Sequence, residues 1–149
     1  MAIKGINHVA LKVRDLEESR KFFELLGFQQ SGHSAGMLFF AVGEHHHHIA
    51  LLEAGAKARR PARGTTGIMH YAVTVDEEAD LERLHRVLSE AGYRIRRSID
   101  HIASRSFYVE DGNGIMVEVT YDVPRDEWEF PENPLANTKP YPLPPEHSQ

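Results

Sequence analysis

The sequence contains no cysteine in its 149 residues. This absence excludes disulfide bonds, and it also excludes metal sites built from thiolate ligands. Any metal ion that the chain binds must therefore be held by histidine, aspartate or glutamate. The 10 histidines and 22 acidic residues provide enough candidates.

Long hydrophobic runs and excess positive charge are absent as well. No run approaches the roughly 20 apolar residues that cross a membrane as a helix, and the N-terminus lacks a signal-peptide pattern. The formal net charge is -5, whereas nucleic-acid binding usually needs a basic patch. The one basic cluster, residues 57–63, is short and has no interleaved aromatic residue. We therefore expect a cytoplasmic protein that binds neither membranes nor nucleic acid.

The chain contains an internal repeat. Residues 5–13 (GINHVALKV) and 67–75 (GIMHYAVTV) share the pattern Gly-Ile-x-His-x-Ala-apolar-x-Val. Each copy is followed by an amphipathic helix signal that ends in Gly-aromatic, and then by strand-like segments. Asp15 and Glu18 form a capping-box pattern at the start of the first helix. Each half therefore predicts a β-α-β-β-β module.

Both modules are too small to fold alone at about 60 residues each, so we expect them to share one core. The predicted organisation is a single α+β domain over residues 1–149, with a first module at 3–54, a linker at 55–66, a second module at 67–122 and a proline-rich tail at 123–149. The tail is compatible with a lid, a dimer arm or a disordered segment.

Strand alternation places four polar side chains on the sheet faces that point away from the helices. His8 in the first repeat strand and His70 in the second alternate with the valines expected to pack on the helices. Glu118 lies on the corresponding side of the last strand, and Tyr108 has the same parity in the strand before it. If the two sheets curve round a common cavity, these four side chains meet inside it.

Three of these residues predict a metal site. A single strand histidine is more often a surface or core residue than a ligand. His8 and His70, however, occupy equivalent positions of a repeat, and Glu118 has matching parity. Two imidazoles and one carboxylate leave open coordination positions, which is the ligand arrangement of non-heme Fe(II) oxygenases.

Paired β-α-β-β-β modules with a histidine opening each and a glutamate in the closing strand resemble the vicinal oxygen chelate superfamily over residues 3–122. That superfamily includes glyoxalase I, extradiol dioxygenases, fosfomycin-thiol transferases, methylmalonyl-CoA epimerase and bleomycin resistance proteins. The resemblance implies two tandem modules that form a curved mixed sheet around a metal cavity. It also implies a metal ion that chelates two neighbouring oxygens of a substrate.

Ala50 favours the extradiol dioxygenase branch. Tyr108 precedes Glu118 by ten residues and Phe40 precedes Ala50 by ten, so the repeat aligns Ala50 with Glu118. Glyoxalase I and the epimerase have a fourth metal ligand at this position. Three protein ligands and an open face resemble the extradiol dioxygenases, and this resemblance implies Fe(II), a catechol-like small-molecule substrate and O2. Because only one pair of modules is present, the resemblance also favours a homodimer.

The run of histidines before Ala50 offers candidates for proton transfer. Extradiol dioxygenases often carry a His-Asp-x-Ala segment here, in which the histidine acts as an acid or base. Residues 47–50 (HHIA) match it, with His48 in place of the aspartate. The family match implicates His47, whereas strand alternation would place His48 and His46 on the cavity side with Ala50. His47 and His48 are both candidate catalytic residues, with His47 slightly favoured.

A second catalytic pair follows from the same resemblance. Some extradiol dioxygenases have a His-Gly-x-Ser stretch followed by a tyrosine and then the metal-binding glutamate. His101 and Tyr108 match this pair, with Ile102 in place of the usual glycine. The implied role of both side chains is to donate hydrogen bonds to charge that develops on the substrate.

Three other functions fit the sequence. A fosfomycin-type thiol transferase would use Mn(II), but that family usually has threonine where Ala10 stands. A glyoxalase- or epimerase-like isomerase would use Ni(II), Zn(II) or Co(II), with His48 or His46 as a substitute fourth ligand. A metal-free small-molecule binding protein of the same fold would keep the cavity without catalysis.

Overall fold

A computed structural model describes residues 2–143 of the chain. The chain divides into two compact units, Met1–Arg60 and Pro61–Gln149. Each unit has one α-helix and one sheet of mixed parallel and antiparallel strands, and each begins with its elements in β-α-β-β-β order. Among the described residues, the second unit adds a 3-10 helix at Arg125–Glu127 and one more short strand. The predicted α+β fold with two tandem modules is therefore confirmed, and the strands form two separate hydrogen-bonded sheets. Within the described residues, neither helix is long and apolar enough to cross a membrane.

The first unit contains β1 (Val9–Val13), α1 (Leu16–Leu25), β2 (Gln29–Ser34), β3 (Met37–Ala41) and β4 (Ile49–Glu53). Its sheet has the order β1-β4-β3-β2, in which β1 and β4 are parallel and the other neighbours are antiparallel. The parallel pair brings the start of the module next to its last strand. The residues at the two strand starts therefore become neighbours.

Helix α1 forms as its local signals predict. The Asp15 side chain accepts a hydrogen bond of 2.8 Å from the Glu18 backbone N–H, which satisfies one of the free donors of the first turn. Phe22 and Phe23 are almost fully buried on the inner face of the helix. Gly27 follows the helix with a φ of 96°, a backbone conformation that glycine adopts without steric cost.

The second unit contains β5 (Tyr71–Val75), α2 (Glu78–Glu90), β6 (Arg94–Asp100), β7 (Ser104–Glu110), β8 (Met116–Asp122) and the short β9 (Lys139–Pro140). Its sheet has the order β5-β8-β7-β6-β9, and β5 and β8 are parallel. Leu81, Leu84 and Leu88 of α2 are buried, as their helical spacing predicts. In the β7–β8 turn, the Asp111 side chain accepts hydrogen bonds from the backbone N–H groups of Asn113 and Ile115, both at 2.8 Å.

Part of the proline-rich tail adds to the second sheet. Strand β9 pairs with the end of β6, where Pro140 lies opposite Ile99. The Tyr141 hydroxyl donates a hydrogen bond of 2.5 Å to Glu78 on α2. A disordered tail is therefore wrong for residues 139–141. The last part of the predicted tail, residues 144–149, lies outside the described residues.

Candidate active site

The registers of the two sheets align the two halves of the repeat. Ala10 of β1 lies beside Ala50 of β4, and Ala72 of β5 lies beside Glu118 of β8 in the same parallel arrangement. Ala50 therefore occupies the position that Glu118 fills in the second unit. The methyl group of Ala50 supplies no ligand there, as the repeat in the sequence predicts.

The predicted equivalence of Tyr108 with Phe40 is wrong. Tyr108 lies opposite Glu118 across β7 and β8, but the residue opposite Ala50 across β3 and β4 is Phe39. The segment from Phe39 to Ala50 is one residue longer than that from Tyr108 to Glu118. Counting ten residues back from Ala50 therefore reaches Phe40, whose side chain is on the other face of β3, because a shift of one residue exchanges the two faces of a strand.

The second unit brings four of the predicted site residues together. The His70 Nε2 atom lies 3.0 Å from Glu118 Oε2. The His101 Nε2 atom lies 3.0 Å from the Tyr108 hydroxyl and 3.8 Å from Glu118 Oε1. Glu118 is buried between them, with 9% of its surface exposed. Two candidate metal ligands thus contact the two candidate hydrogen-bond donors.

Three neighbouring strands and one turn position this cluster. His70 is the last residue before β5, not a strand residue as predicted, because the β5–β8 ladder begins at Tyr71. Glu118 lies on β8, the neighbour of β5, and Tyr108 lies directly opposite it on β7. His101 belongs to the turn between β6 and β7. Strand pairing therefore fixes Glu118 against Tyr108, while the two histidines approach from chain segments outside the strands.

Burial raises the pKa of Tyr108 to about 12, and the neighbouring Glu118 carboxylate adds to this effect. Arg97 opposes the shift, with its guanidinium carbon 4.6 Å from the centre of the Tyr108 ring. Tyr108 is consequently a neutral phenol at physiological pH and can donate a hydrogen bond. Arg97 could not be predicted from the sequence, because an irregularity in the β6–β7 register between Ile95 and Arg97 breaks the alternation of β6.

The turn that carries His101 has an unusual backbone. Ile102 has a φ of 73°, and it is the one non-glycine residue with positive φ among residues 2–143. The Ala103 backbone N–H donates to the His101 carbonyl at 2.9 Å, which closes a γ-turn around Ile102. A glycine stands here in the resembling dioxygenase motif, and the left-handed backbone is the conformation that glycine favours.

In the first unit, His8 and His47 lie side by side. Their ring centres are 4.5 Å apart, and the His47 ring also contacts Phe39 at 5.2 Å. His8 is the last residue before β1, so it too is not a strand residue as predicted. The predicted metal ligand of this unit is therefore adjacent to one of the two candidate acid/base histidines.

His48 points elsewhere. Its Nδ1 atom accepts a hydrogen bond of 3.3 Å from the Val42 backbone N–H, and its ring lies 6.3 Å from the buried ring of Phe28. Strand alternation, which would put His48 on the cavity side, fails here because β4 begins only at Ile49. The direction of the His48 side chain is therefore set by the turn that precedes β4.

Both candidate histidines of the run favour the neutral imidazole. Desolvation lowers the pKa of His47, and positive charge on the neighbouring His46, His8, His45 and His48 rings would lower it further. The pKa of His48 is lowered by burial and by the same kind of neighbours. A neutral imidazole can accept a proton, as an acid/base catalyst must.

The side chains present have the donor types that a non-heme iron site uses. An imidazole nitrogen and a carboxylate oxygen converge in the second unit at His70 and Glu118, and His8 offers another imidazole in the first unit. Within the part of the chain that the structure describes, no group of three or more histidine, aspartate or glutamate side chains is gathered in a geometry that could hold a metal ion. The donor chemistry fits Fe(II).

Comparisons with known proteins agree with this fold. Residues 5–119 match the family model of the Glyoxalase/Bleomycin resistance protein/Dioxygenase superfamily. A catechol-2,3-dioxygenase of Bacillus subtilis (strain 168) is 34% identical over 110 residues, which are 71% of this chain and 37% of that protein. A biphenyl-2,3-diol 1,2-dioxygenase of Rhodococcus globerulus is 29% identical over 116 residues, which are 77% of this chain and 61% of that protein.

The chain thus spans less than two thirds of the length of these two relatives. Among solved structures, a glyoxylase/bleomycin resistance protein/dioxygenase domain from Frankia sp. EAN1pec shares the fold with a TM-score of 0.69 and 22% identity. That match covers 82% of this chain and 100% of the other. The chain belongs to the glyoxalase/bleomycin resistance protein/dioxygenase superfamily, whose metal-bearing members the sequence resembles.

Proposed function

We propose that this protein is an extradiol-type ring-cleaving dioxygenase that acts on a catecholic small molecule with O2. The observation that carries this proposal is the cluster in the second unit, where His70 and Glu118 contact the pair His101 and Tyr108. An imidazole and a carboxylate suitable for iron thus adjoin two groups suitable for hydrogen bonding to a substrate oxygen. The 34% identity to a catechol-2,3-dioxygenase supports the same reaction class.

His8, His70 and Glu118 would hold the metal ion. Fe(II) bound by such ligands supplies an open face for two adjacent substrate oxygens and for O2, together with the redox chemistry of the reaction. The buried Glu118 carboxylate supplies the negative charge that favours a divalent cation. Mn(II), Ni(II), Zn(II) and Co(II) remain the metals of the alternative functions.

His101 and Tyr108 would stabilise negative charge on the bound catechol. The Tyr108 phenol stays protonated, since burial and Glu118 raise its pKa to about 12. Its hydroxyl is hydrogen-bonded to His101 Nε2 at 3.0 Å, which holds both groups in a fixed relation. Donors oriented in advance toward developing charge are among the strongest contributions to catalysis.

His47 is the better candidate for accepting the proton of a substrate hydroxyl. Its ring lies against His8, a proposed metal ligand, and its pKa is lowered mainly by desolvation. His48 instead accepts a hydrogen bond from Val42 and lies near Phe28. We therefore assign the acid/base role to His47 and no role to His48. Homodimer formation and a cytoplasmic location remain predictions from the sequence.

The alternative reactions have less support. An isomerase of this family would need a fourth ligand in place of Ala50, and His48 Nδ1 accepts a hydrogen bond from the backbone N–H of Val42. A fosfomycin-type thiol transferase would have threonine at the position of Ala10. For the metal-free binding protein the deciding observation is metal analysis, because His70 and Glu118 pair with each other directly at 3.0 Å.

Metal analysis and a catechol assay on protein purified anaerobically without a histidine tag test the proposal. We expect about one iron per chain, as a site with three ligands binds one ion, and coloured ring-cleavage products from catechols under air. His70→Ala loses both properties. His33→Ala is the matched control, because His33 is an exposed residue of β2, and it keeps both.

Other outcomes point to the alternatives. Manganese with thiol transfer, or nickel, zinc or cobalt with isomerisation, would replace the dioxygenase proposal. A protein that binds no metal after reconstitution, and whose properties His70→Ala leaves unchanged, would be a binding protein.

A further inference from the structure

Asp100, the last residue of β6, has a buried carboxylate directly before His101. Its Oδ1 atom accepts a hydrogen bond of 2.8 Å from the Ile102 backbone N–H. Its Oδ2 atom faces two cations, Arg105 Nε at 3.7 Å and Lys139 Nζ at 3.8 Å. Each oxygen of this carboxylate therefore has its own partners, and one partner is the backbone of the γ-turn.

The γ-turn at Ile102 needs such support. A β-branched residue rarely adopts a φ of 73°, because its side chain crowds the backbone there. Such a conformation persists only where the surroundings enforce it. Three interactions do so here. The Ile102 side chain is buried, with 7% of its surface exposed. The His101 backbone N–H donates a hydrogen bond of 2.7 Å to the Ser104 carbonyl. The Asp100 carboxylate accepts the hydrogen bond of the Ile102 backbone N–H.

The direction of the His101 side chain depends on this turn. His101 lies between Asp100 and Ile102 in the chain. Its imidazole Nε2 atom is 3.0 Å from the Tyr108 hydroxyl and 3.8 Å from Glu118 Oε1. If Ile102 relaxed to a negative φ, the peptide planes on either side of it would rotate, and the imidazole would leave this position. The orientation of the His101 side chain thus depends on the backbone of this turn as well as on the hydrogen bond to Tyr108.

We propose that Asp100 is a positioning residue for His101, which it acts on through the backbone N–H of Ile102. The carboxylate of Asp100 pairs with Ile102, Arg105 and Lys139, and none of these three is a proposed reacting group. The expected effect on turnover rests on the proposed dioxygenase function. The expected effect on the His101 imidazole does not, because it concerns the metal-free protein.

The test compares two substitutions of Asp100 with a matched control. Asp100→Ala removes the acceptor for the Ile102 N–H, whereas Asp100→Asn keeps an oxygen at that place. Asp111→Ala is the control, because Asp111 is also buried and accepts a 2.8 Å hydrogen bond from the backbone N–H two residues later, at Asn113. It removes buried backbone hydrogen bonds from the same unit, to Asn113 and Ile115, and it lies in the β7–β8 turn rather than the turn of His101.

The first readout is the 15N resonance of the His101 side chain in metal-free protein, recorded under identical conditions for every variant. We expect Asp100→Ala to move this resonance toward that of the exposed His33, while Asp100→Asn and Asp111→Ala leave it in place. The second readout is turnover of a catechol by the iron-loaded protein. Asp100→Ala should lower kcat by about 10- to 100-fold with little change in KM, as displaced catalytic groups do.

A double substitution tests the route through Ile102. Glycine adopts a positive φ without steric cost, so Ile102→Gly removes the need for the Asp100 hydrogen bond. Asp100→Ala should then change the His101 resonance less in the Ile102→Gly background than in the parent. Equal changes in both backgrounds would show that Asp100 does not act through this turn.

The outcomes separate this inference from the proposed function. An unchanged His101 resonance in folded Asp100→Ala protein would overturn the positioning role, whatever the activity. A loss of kcat no larger than that of Asp111→Ala would do the same. Absence of catechol cleavage in the parent protein would count against the dioxygenase proposal alone, because the resonance still reports on Asp100.

Discussion

Glu118 Oε2 and His70 Nε2 lie 3.0 Å apart in the second unit. Glu118 lies on β8, and His70 is the residue directly before β5, the parallel neighbour of β8. A parallel pair places both strand starts at one end of the sheet. The β-α-β-β-β order therefore has a direct chemical consequence, because the crossover through α2 brings an imidazole from the start of the module to a carboxylate near its end.

Glu118→Gln tests whether this carboxylate holds the metal ion. Glutamine keeps the size and hydrogen-bonding capacity of the side chain but has no negative charge. We expect iron affinity to fall by at least about 10-fold, as is typical when the environment of a metal ligand is altered. Iron content after reconstitution at graded Fe(II) concentrations measures it.

Glu110→Gln is the control for this experiment. Glu110 lies on β7 of the same unit, and its carboxylate forms an ion pair of 2.5 Å with Arg96. Iron affinity should be that of the parent protein. If Glu118→Gln bound iron as tightly as Glu110→Gln, Glu118 could not be a ligand.

Tyr108→Phe removes only the hydroxyl that His101 contacts at 3.0 Å. Because the phenyl ring can keep its packing against His70, the fold and iron binding should be unchanged. We expect kcat to fall by about 100-fold, within the range for losing one donor to developing charge. Steady-state kinetics with a catechol measure it, and Tyr121→Phe on β8 provides the control. A kcat equal to that of Tyr121→Phe would exclude a catalytic role for the Tyr108 hydroxyl.

The sequence predicts those parts of the molecule that depend on local signals. The N-cap at Asp15 and the buried stripe of α2 follow from residue type and helical spacing. The sheet registers agree with the predicted equivalence of Ala50 and Glu118, although they contradict the pairing of Phe40 with Tyr108 from which it was counted. Parity along one strand is a local property as well, so the side of Glu118 and Tyr108 could be predicted.

The rest depends on interactions between segments that are distant in the sequence. The position of Phe39 opposite Ala50 depends on a connection that is one residue longer than its counterpart. Arg97 reaches the Tyr108 ring because of an irregular register between β6 and β7. The pairing of β9 with β6 joins residues about forty positions apart, and no local sequence pattern predicts it. Alternation also fails at His48, which lies outside the strand.

His47→Gln and His48→Gln together test the assignment of the acid/base residue. His47 adjoins the proposed ligand His8, whereas His48 lies near Phe28. We expect His47→Gln to lower kcat by about 100-fold, as the loss of a general acid/base catalyst does, and His48→Gln to leave kcat nearly unchanged. Steady-state kinetics under air, with equal iron loading of both variants, measure the difference in kcat. The reverse ranking would favour the prediction from strand alternation.

Tyr141→Phe tests how the tail is attached to the second unit. The Tyr141 hydroxyl donates to Glu78, which also pairs with Arg105 at 2.7 Å. Burial and the hydrogen bond to Glu78 raise the pKa of Tyr141, and Arg105 opposes the shift while the Glu82 charge adds to it. A raised pKa in the folded state means that Tyr141 stabilises the fold below the pKa of about 10 in the unfolded chain. This contribution is lost as the pH rises above that value.

We therefore expect Tyr141→Phe to lower the free energy of unfolding by about 1 kcal/mol at pH 8, the usual value for a hydrogen bond. Between pH 9 and about 11, where free tyrosine titrates, the parent protein should lose more stability than the variant, because only the parent has this hydroxyl to ionise. Urea unfolding at each pH measures both effects. Parallel losses of stability in the two proteins would mean that the Tyr141 hydroxyl is not held by Glu78 in solution.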